Sequence, residues 1–130
     1  MSELKFSDLV EPVAVDQKTA LRVTVLGGGS FGTAMANIAV RNGCDTMIWI
    51  RDEAVAKEMN QSHVNKRYLP DYTLESGLRA VSDLETAVSD RDIILVAIPS
   101  HSFRDVLQKI KPFISAQAVV SLTKGVEAKT

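Results

Sequence analysis

The run Gly27-Gly28-Gly29-Ser30-Phe31-Gly32 constrains this chain more than any other stretch. It sits between an apolar run, Leu21-Arg22-Val23-Thr24-Val25-Leu26, and a segment of small residues, Thr33-Ala34-Met35-Ala36-Asn37-Ile38-Ala39-Val40. That order reads as strand, glycine turn and helix, with Asn42-Gly43 as the helix stop. Glycines at 27, 29 and 32 fit the dinucleotide-binding fingerprint, in which each has its own steric task. Gly27 allows the tight turn out of the strand, Gly29 leaves room for a pyrophosphate to reach the backbone, and Gly32 lets the helix lie close to the sheet. The phosphates then rest at the helix N-terminus, where free N–H groups and the helix dipole favour negative charge.

The same alternation continues downstream. Residues 45–50 predict a second strand ending at Arg51-Asp52, and Asp52 can cap a helix over residues 53–62 with Ala54, Val55 and Met59 near helical spacing. Residues 63–77, with Asn65, Pro70 and Gly77, predict a long loop in which Tyr68-Leu69-Pro70 forms a packed turn. Loops of that length inside a compact domain are often functional. A short strand at 78–81, a short helix at 83–88 and an apolar strand at 93–98 follow, the last continuous enough to be covered on both faces. A helix over 102–110 turns Phe103, Val106, Leu107 and Ile110 inward and stops at Pro112. Residues 118–122 form a final strand leading into Thr123-Lys124-Gly125. The expected fold is α/β, a Rossmann-type doubly wound and mostly parallel sheet over residues 21–130, preceded by an extension at 1–20 that includes a short helix near 4–10.

Composition narrows the classes. Fifteen basic against sixteen acidic residues leave a net charge of -1, which supports neither a nucleic-acid nor a membrane-surface role, so any phosphate binding is local. One cysteine, Cys44, excludes an intrachain disulfide and supplies no metal cluster, and it suits a reducing compartment. No run is long enough to span a bilayer and no secretory signal opens the chain, so the expected location is cytoplasmic.

In doubly wound sheets, ligands bind beyond the carboxyl ends of the strands. That rule gathers residues 27–32, Arg51, residues 99–101 and Lys124. Arg51 stands at the end of the second strand, where a basic residue suits a ribose 2′-phosphate and hence NADP; Asp52 keeps NAD open, since it serves the ribose if the strand ends one residue later. Lys124 either presents its ammonium to the crevice as a point charge for a phosphate or hydroxyl, or simply closes a strand. His63 and His101 lack companion ligands at metal-binding spacing and read as loop residues, with His101 near the crevice.

Taken together, these segments resemble the bacterial-type NAD(P)-dependent glycerol-3-phosphate dehydrogenases. The resemblance runs from about residue 21 to residue 130. It is carried by Val25-Leu26-Gly27-Gly28-Gly29-Ser30-Phe31-Gly32-Thr33-Ala34, Trp49-Ile50-Arg51-Asp52, Tyr68-Leu69-Pro70, Ile98-Pro99-Ser100-His101 and Thr123-Lys124-Gly125-Val126-Glu127. It implies a cofactor site made of Gly27, Gly28, Gly29, Ser30, Phe31, Gly32, Arg51 and Lys124, with Lys124 also reaching the substrate. Arg51 stands where other members carry histidine. The implied reaction is reversible hydride transfer between NADP, the preferred coenzyme, or NAD and the pair glycerol 3-phosphate and dihydroxyacetone phosphate, feeding phospholipid synthesis. In the family a helical domain follows and contributes the lysine that acts as general base. That domain is not among these 130 residues, so no catalytic residue is expected here. A homodimer stays open for the full-length enzyme. Two rival readings are a dinucleotide-sensing module without turnover and another reductase built on the same cofactor domain.

Overall fold

The computed structural model describes residues 20–122. The short helix expected near residues 4–10, and Lys124 with its flanking motif, lie outside the described residues. Five parallel strands, β1 (Arg22–Leu26), β2 (Asp45–Trp49), β3 (Arg79–Val81), β4 (Ile93–Val96) and β5 (Ala118–Ser121), form one sheet in the order β3-β2-β1-β4-β5. The chain steps outward from β1 to β3, then returns past β1 to lay down β4 and β5.

Right-handed crossovers convert that reversal of direction into two helical layers. Helices α1 (Ser30–Arg41) and α2 (Glu53–Ser62) cover one face, where Ala36, Ala56 and Met59 pack with Val25, Ile48 and Ala80. Helices α3 (Leu84–Val88) and α4 (Ser100–Ile110) cover the other, where Ala87, Val88, Val106 and Ile110 pack with Leu26, Trp49, Ile94 and Val96. Successive side chains of a strand point to opposite faces, so Val25 and Leu26 belong to different cores.

Several boundaries differ from the sequence expectation, for local reasons. Helix α1 starts at Ser30 rather than Thr33 because Gly29 is extended (φ -74°, ψ -176°) and the helical conformation begins directly after it. Helix α4 starts at Ser100 rather than Ser102, immediately after Pro99, whose extended backbone forms the N-cap. In α2 the inward position is Ala56, whereas Ala54 is exposed in the first turn. The other signals hold: Asp52 accepts from the N–H groups of Ala54 (2.9 Å) and Val55 (3.4 Å), Asn42 is the C-cap of α1, and Gly43 follows with φ +88°. Strand β5 stands at one edge of the described sheet with all four residues exposed.

At the amino ends of the strands the charges are paired. Arg22 bonds Asp92, and these hydrogen bonds hold the Asp92 carboxyl below its usual pKa. Arg79 pairs with Asp45 at 3.1 Å. Between them lies Arg91, only 6% exposed, whose Nη2 donates to the carbonyls of Val23 (2.9 Å) and Asp45 and reaches the Asp45 carboxylate at 3.4 Å. Burial lowers the Arg91 pKa and Asp45 opposes that shift. One guanidinium thus ties the starts of β1 and β2. Arg91→Met should cost about 2–3 kcal/mol, since two carbonyls lose a charged donor; urea unfolding checks this, and a loss below roughly 0.5 kcal/mol would show that water replaces the donor.

Candidate functional site

The chain reverses its winding between β1 and β4, and a cleft of about 670 Å³ opens beyond their carboxyl ends. Its floor is the glycine turn. Gly27 donates to the Trp49 carbonyl (3.1 Å) and has φ +126°, a region that disfavours any side chain. A Cβ there would collide with the carbonyl oxygen of Ala97, and a Cβ on Gly32 would collide with that of Gly27. Strand β1, helix α1 and the end of β4 therefore meet at backbone distance only because these two residues lack side chains. Gly29 differs: a Cβ there would have nothing within 4 Å. It is the N-cap of α1, with no side-chain hydrogen bond to the cap and no acidic residue in the first turn, so open space adjoins an uncapped helix start. That combination suits a phosphate-bearing ligand, whose oxygens take the first-turn N–H groups. Phe31 is 56% exposed at the same place.

The walls come from β2, α4 and the loop 63–77. Trp49 is buried and fixed by its indole N–H, which donates to the Ser82 carbonyl (2.9 Å); the Arg51 guanidinium lies over its ring, 5.6 Å from the centroid. Asp52 also lines the cleft, but its Oδ1 accepts the first-turn N–H groups of α2. His101 lines the opposite wall from the first turn of α4, so it is helical rather than a loop residue. His63 lies away from the cleft wall as the left-handed C-cap of α2 (φ 58°), its N–H donating to the Met59 carbonyl (2.8 Å). Among the described residues no cluster of three metal-ligating side chains exists. The cleft thus unites Gly27, Gly28, Gly29, Ser30, Phe31 and Gly32 with Arg51. Lys124 lies outside the described residues.

The sequence reading missed the anchor of this loop. Asn65 is 1% exposed, and its Nδ2 donates to the Gly28 carbonyl and to Thr33 Oγ1, both at 2.8 Å. Its Oδ1 accepts from the Tyr68 N–H (3.2 Å), and its carbonyl from that of Leu69 (2.8 Å). The expected turn at 68–70 is present, yet Tyr68 is exposed on the cleft rather than packed. Arg67, also on the cleft, holds its guanidinium 5.3 Å from the Tyr68 ring centroid. The unusual loop length was the one signal that pointed here.

Comparison with known proteins agrees with this fold. The family profile for the N-terminus of NAD-dependent glycerol-3-phosphate dehydrogenase matches residues 22–130. A glycerol-3-phosphate dehydrogenase (NAD(P)+) of Acinetobacter baumannii is 82% identical over the whole chain, and one of Psychrobacter cryohalolentis is 55% identical over 86% of it. The chain spans 36% and 26% of the length of those two relatives. Among solved structures, a glycerol-3-phosphate dehydrogenase of Saccharomyces cerevisiae has a TM-score of 0.77 at 28% identity, covering 82% of this chain and 34% of its own. One from Coxiella burnetii has a TM-score of 0.73 at 33% identity, covering 82% and 34%.

The two glycine environments make opposite demands. Gly32→Ala forces backbone to move and should destabilise by about 1–3 kcal/mol. Gly29→Ser enters open space and offers a cap to α1, so stability should hold or rise by about 0.3 kcal/mol. Thermal unfolding of both variants checks the contrast, which fails if Gly29→Ser is the more damaging.

Proposed function

Since the chain belongs to the NAD-dependent glycerol-3-phosphate dehydrogenase N-terminal family, we propose that it is the part of such an enzyme that holds the dinucleotide. The observation that carries this reading is the glycine floor: two backbone contacts that exclude any side chain, beside an open and uncapped helix start. The N–H groups of Ser30, Phe31 and Gly32 would take the pyrophosphate, Gly29 would leave it room, and the Phe31 ring would lie along the bound molecule. When bound, the nicotinamide supplies or accepts the hydride.

The chain's own contribution is to position the coenzyme and to shield one side of it. The reacting partner would be dihydroxyacetone phosphate or glycerol 3-phosphate, the latter supplied for phospholipid synthesis. Lys124 follows β5 in sequence, and the carboxyl end of β5 lies beside that of β4. We assign it the substrate phosphate or hydroxyl and a contact to the coenzyme. The general base is assigned to the part of the enzyme beyond these residues.

Arg51 supports a preference for NADP over NAD. Its guanidinium is exposed and has no carboxylate partner among the described residues, while Asp52 beside it is engaged as a helix cap. A charge-assisted hydrogen bond to the 2′-phosphate contributes roughly 1.5–3 kcal/mol. Exposure favours the lower end, because salt screens such contacts. Arg51→Ala should therefore weaken NADPH by about tenfold and leave NADH within about twofold. Parallel titrations at one ionic strength check it. Equal losses would return Arg51 to general support of the adenosine pocket.

The 130-residue chain should bind coenzyme without consuming it in the presence of dihydroxyacetone phosphate. Fluorescence titration and the absorbance of reduced nicotinamide measure the two halves. Turnover by this chain alone would overturn the assignment of the base elsewhere. Binding in the absence of turnover is shared with a sensing module, and regained activity on adding the remainder of the enzyme separates the two.

A further inference from the structure

We propose that Arg67 is a second coenzyme-discriminating residue, meeting the 2′-phosphate of the adenosine from the loop side of the cleft while Arg51 meets it from the end of β2. The proposal rests on the dinucleotide reading of the cleft. Its basis is the distribution of charge around that cleft and the way the loop is fixed.

Most cations of the described residues have an acidic partner. Arg22, Arg41, Lys57, Lys66, Arg79, Arg91 and Lys109 each form an ion pair. Arg51 and Arg67 line the cleft, and neither has a carboxylate within ion-pair distance among the described residues. Each instead lies over an aromatic ring, Arg51 on Trp49 and Arg67 on Tyr68. Stacking on a ring face orients a guanidinium without neutralising it, so its N–H groups stay available to an anion. Asp52, the acidic residue of the lining, already accepts two backbone N–H groups through Oδ1.

The loop holds Arg67 in register with the glycine turn. Asn65 bonds Gly28 and Thr33 through its side chain, and Tyr68 and Leu69 donate back to its Oδ1 and its main-chain carbonyl, so the segment around Arg67 is tied to one buried residue. Arg67 follows α2, which joins β2 to β3. It lines the cleft together with Trp49 and Arg51 from the end of β2, the strand end to which doubly wound sheets direct the adenosine ribose. The pyrophosphate is met by the start of α1. What remains there for a second arginine is the 2′-phosphate, a monoester of about two negative charges at neutral pH, which one exposed guanidinium satisfies only in part.

The test is titration of the unaltered chain, Arg67→Ala, Arg67→Lys and Arg51→Ala/Arg67→Ala with NADPH and NADH, at two salt concentrations. Arg67→Ala should weaken NADPH by about five- to twentyfold, leave NADH within about twofold, and flatten the salt dependence of NADPH binding. Arg67→Lys should retain part of the affinity, and the double variant should bind the two coenzymes almost equally. Arg67 is exposed, and unchanged thermal unfolding confirms that the variants are folded. Equal weakening of both coenzymes would place Arg67 on the adenine instead and overturn the proposal, as would no change in either. If the unaltered chain binds neither coenzyme, the dinucleotide reading itself fails.

Discussion

The close approach of three backbones at the glycine turn is the constraint on which the cleft depends. Strand β1 ends where Gly27 faces the Ala97 carbonyl, and α1 begins where Gly32 faces the Gly27 carbonyl. A methyl group at either position pushes the helix from the sheet or β1 from β4, and the crevice at the reversal of strand order loses its floor. Parallel pairing transmits this constraint. Val23 to Leu26 run in register with Ile93 to Val96, so a shift at the turn moves the whole β1–β4 ladder. The turn is thus a packing joint first, and its open face toward Gly29 is the by-product that suits a phosphate.

A second layer of order comes from side-chain amides, of which Asn37 and Asn65 are buried and Asn60 is exposed. Asn37 of α1 accepts the Glu75 N–H (2.7 Å), Asn60 of α2 exchanges two bonds with the backbone of Ala80, and Asn65 bonds the glycine turn. These three side chains secure the loop 63–77 and the short strand β3, whose Leu74 and Ala80 also join the core. Buried amides need nearly all their hydrogen bonds satisfied, so they tolerate few alternative loop positions.

The two layers differ in how far they could be read from the sequence. Strands and helices announce themselves locally: the apolar run 93–98, the cap at Asp52 and the stop at Asn42-Gly43 each depend on neighbours within a few residues. The fingerprint likewise located the turn, Arg51 and the fold class, because its spacing encodes local backbone geometry. Asn65 could not be found that way. Its partners lie 37 and 32 residues earlier, and an asparagine in a loop looks the same whether it is buried or solvated. Arg67 and Tyr68 reach the cleft through that same long-range contact. Helical spacing in α2 singled out Ala54, Val55 and Met59, whereas the buried alanine is Ala56, because small apolar residues on both sides of a helix blur its periodicity.

Net charge conceals the electrostatic design. A sum of -1 suggests a surface indifferent to anions, yet the charges are sorted along the strands. At the amino ends, Arg22, Arg79 and Arg91 are matched by Asp92 and Asp45. At the carboxyl ends, two arginines face the cleft stacked on aromatic rings, alongside the uncapped start of α1. Parallel strands make this sorting possible, because every strand begins on one side of the sheet and ends on the other. The paired end can bind its strands together at close range, where attraction between matched groups is strongest, while the other end keeps a local positive potential that long-range neutrality does not cancel within a Debye length. A chain of net charge -1 therefore gathers at one cleft two arginines that have no carboxylate partner among the described residues, without becoming a general polyanion binder.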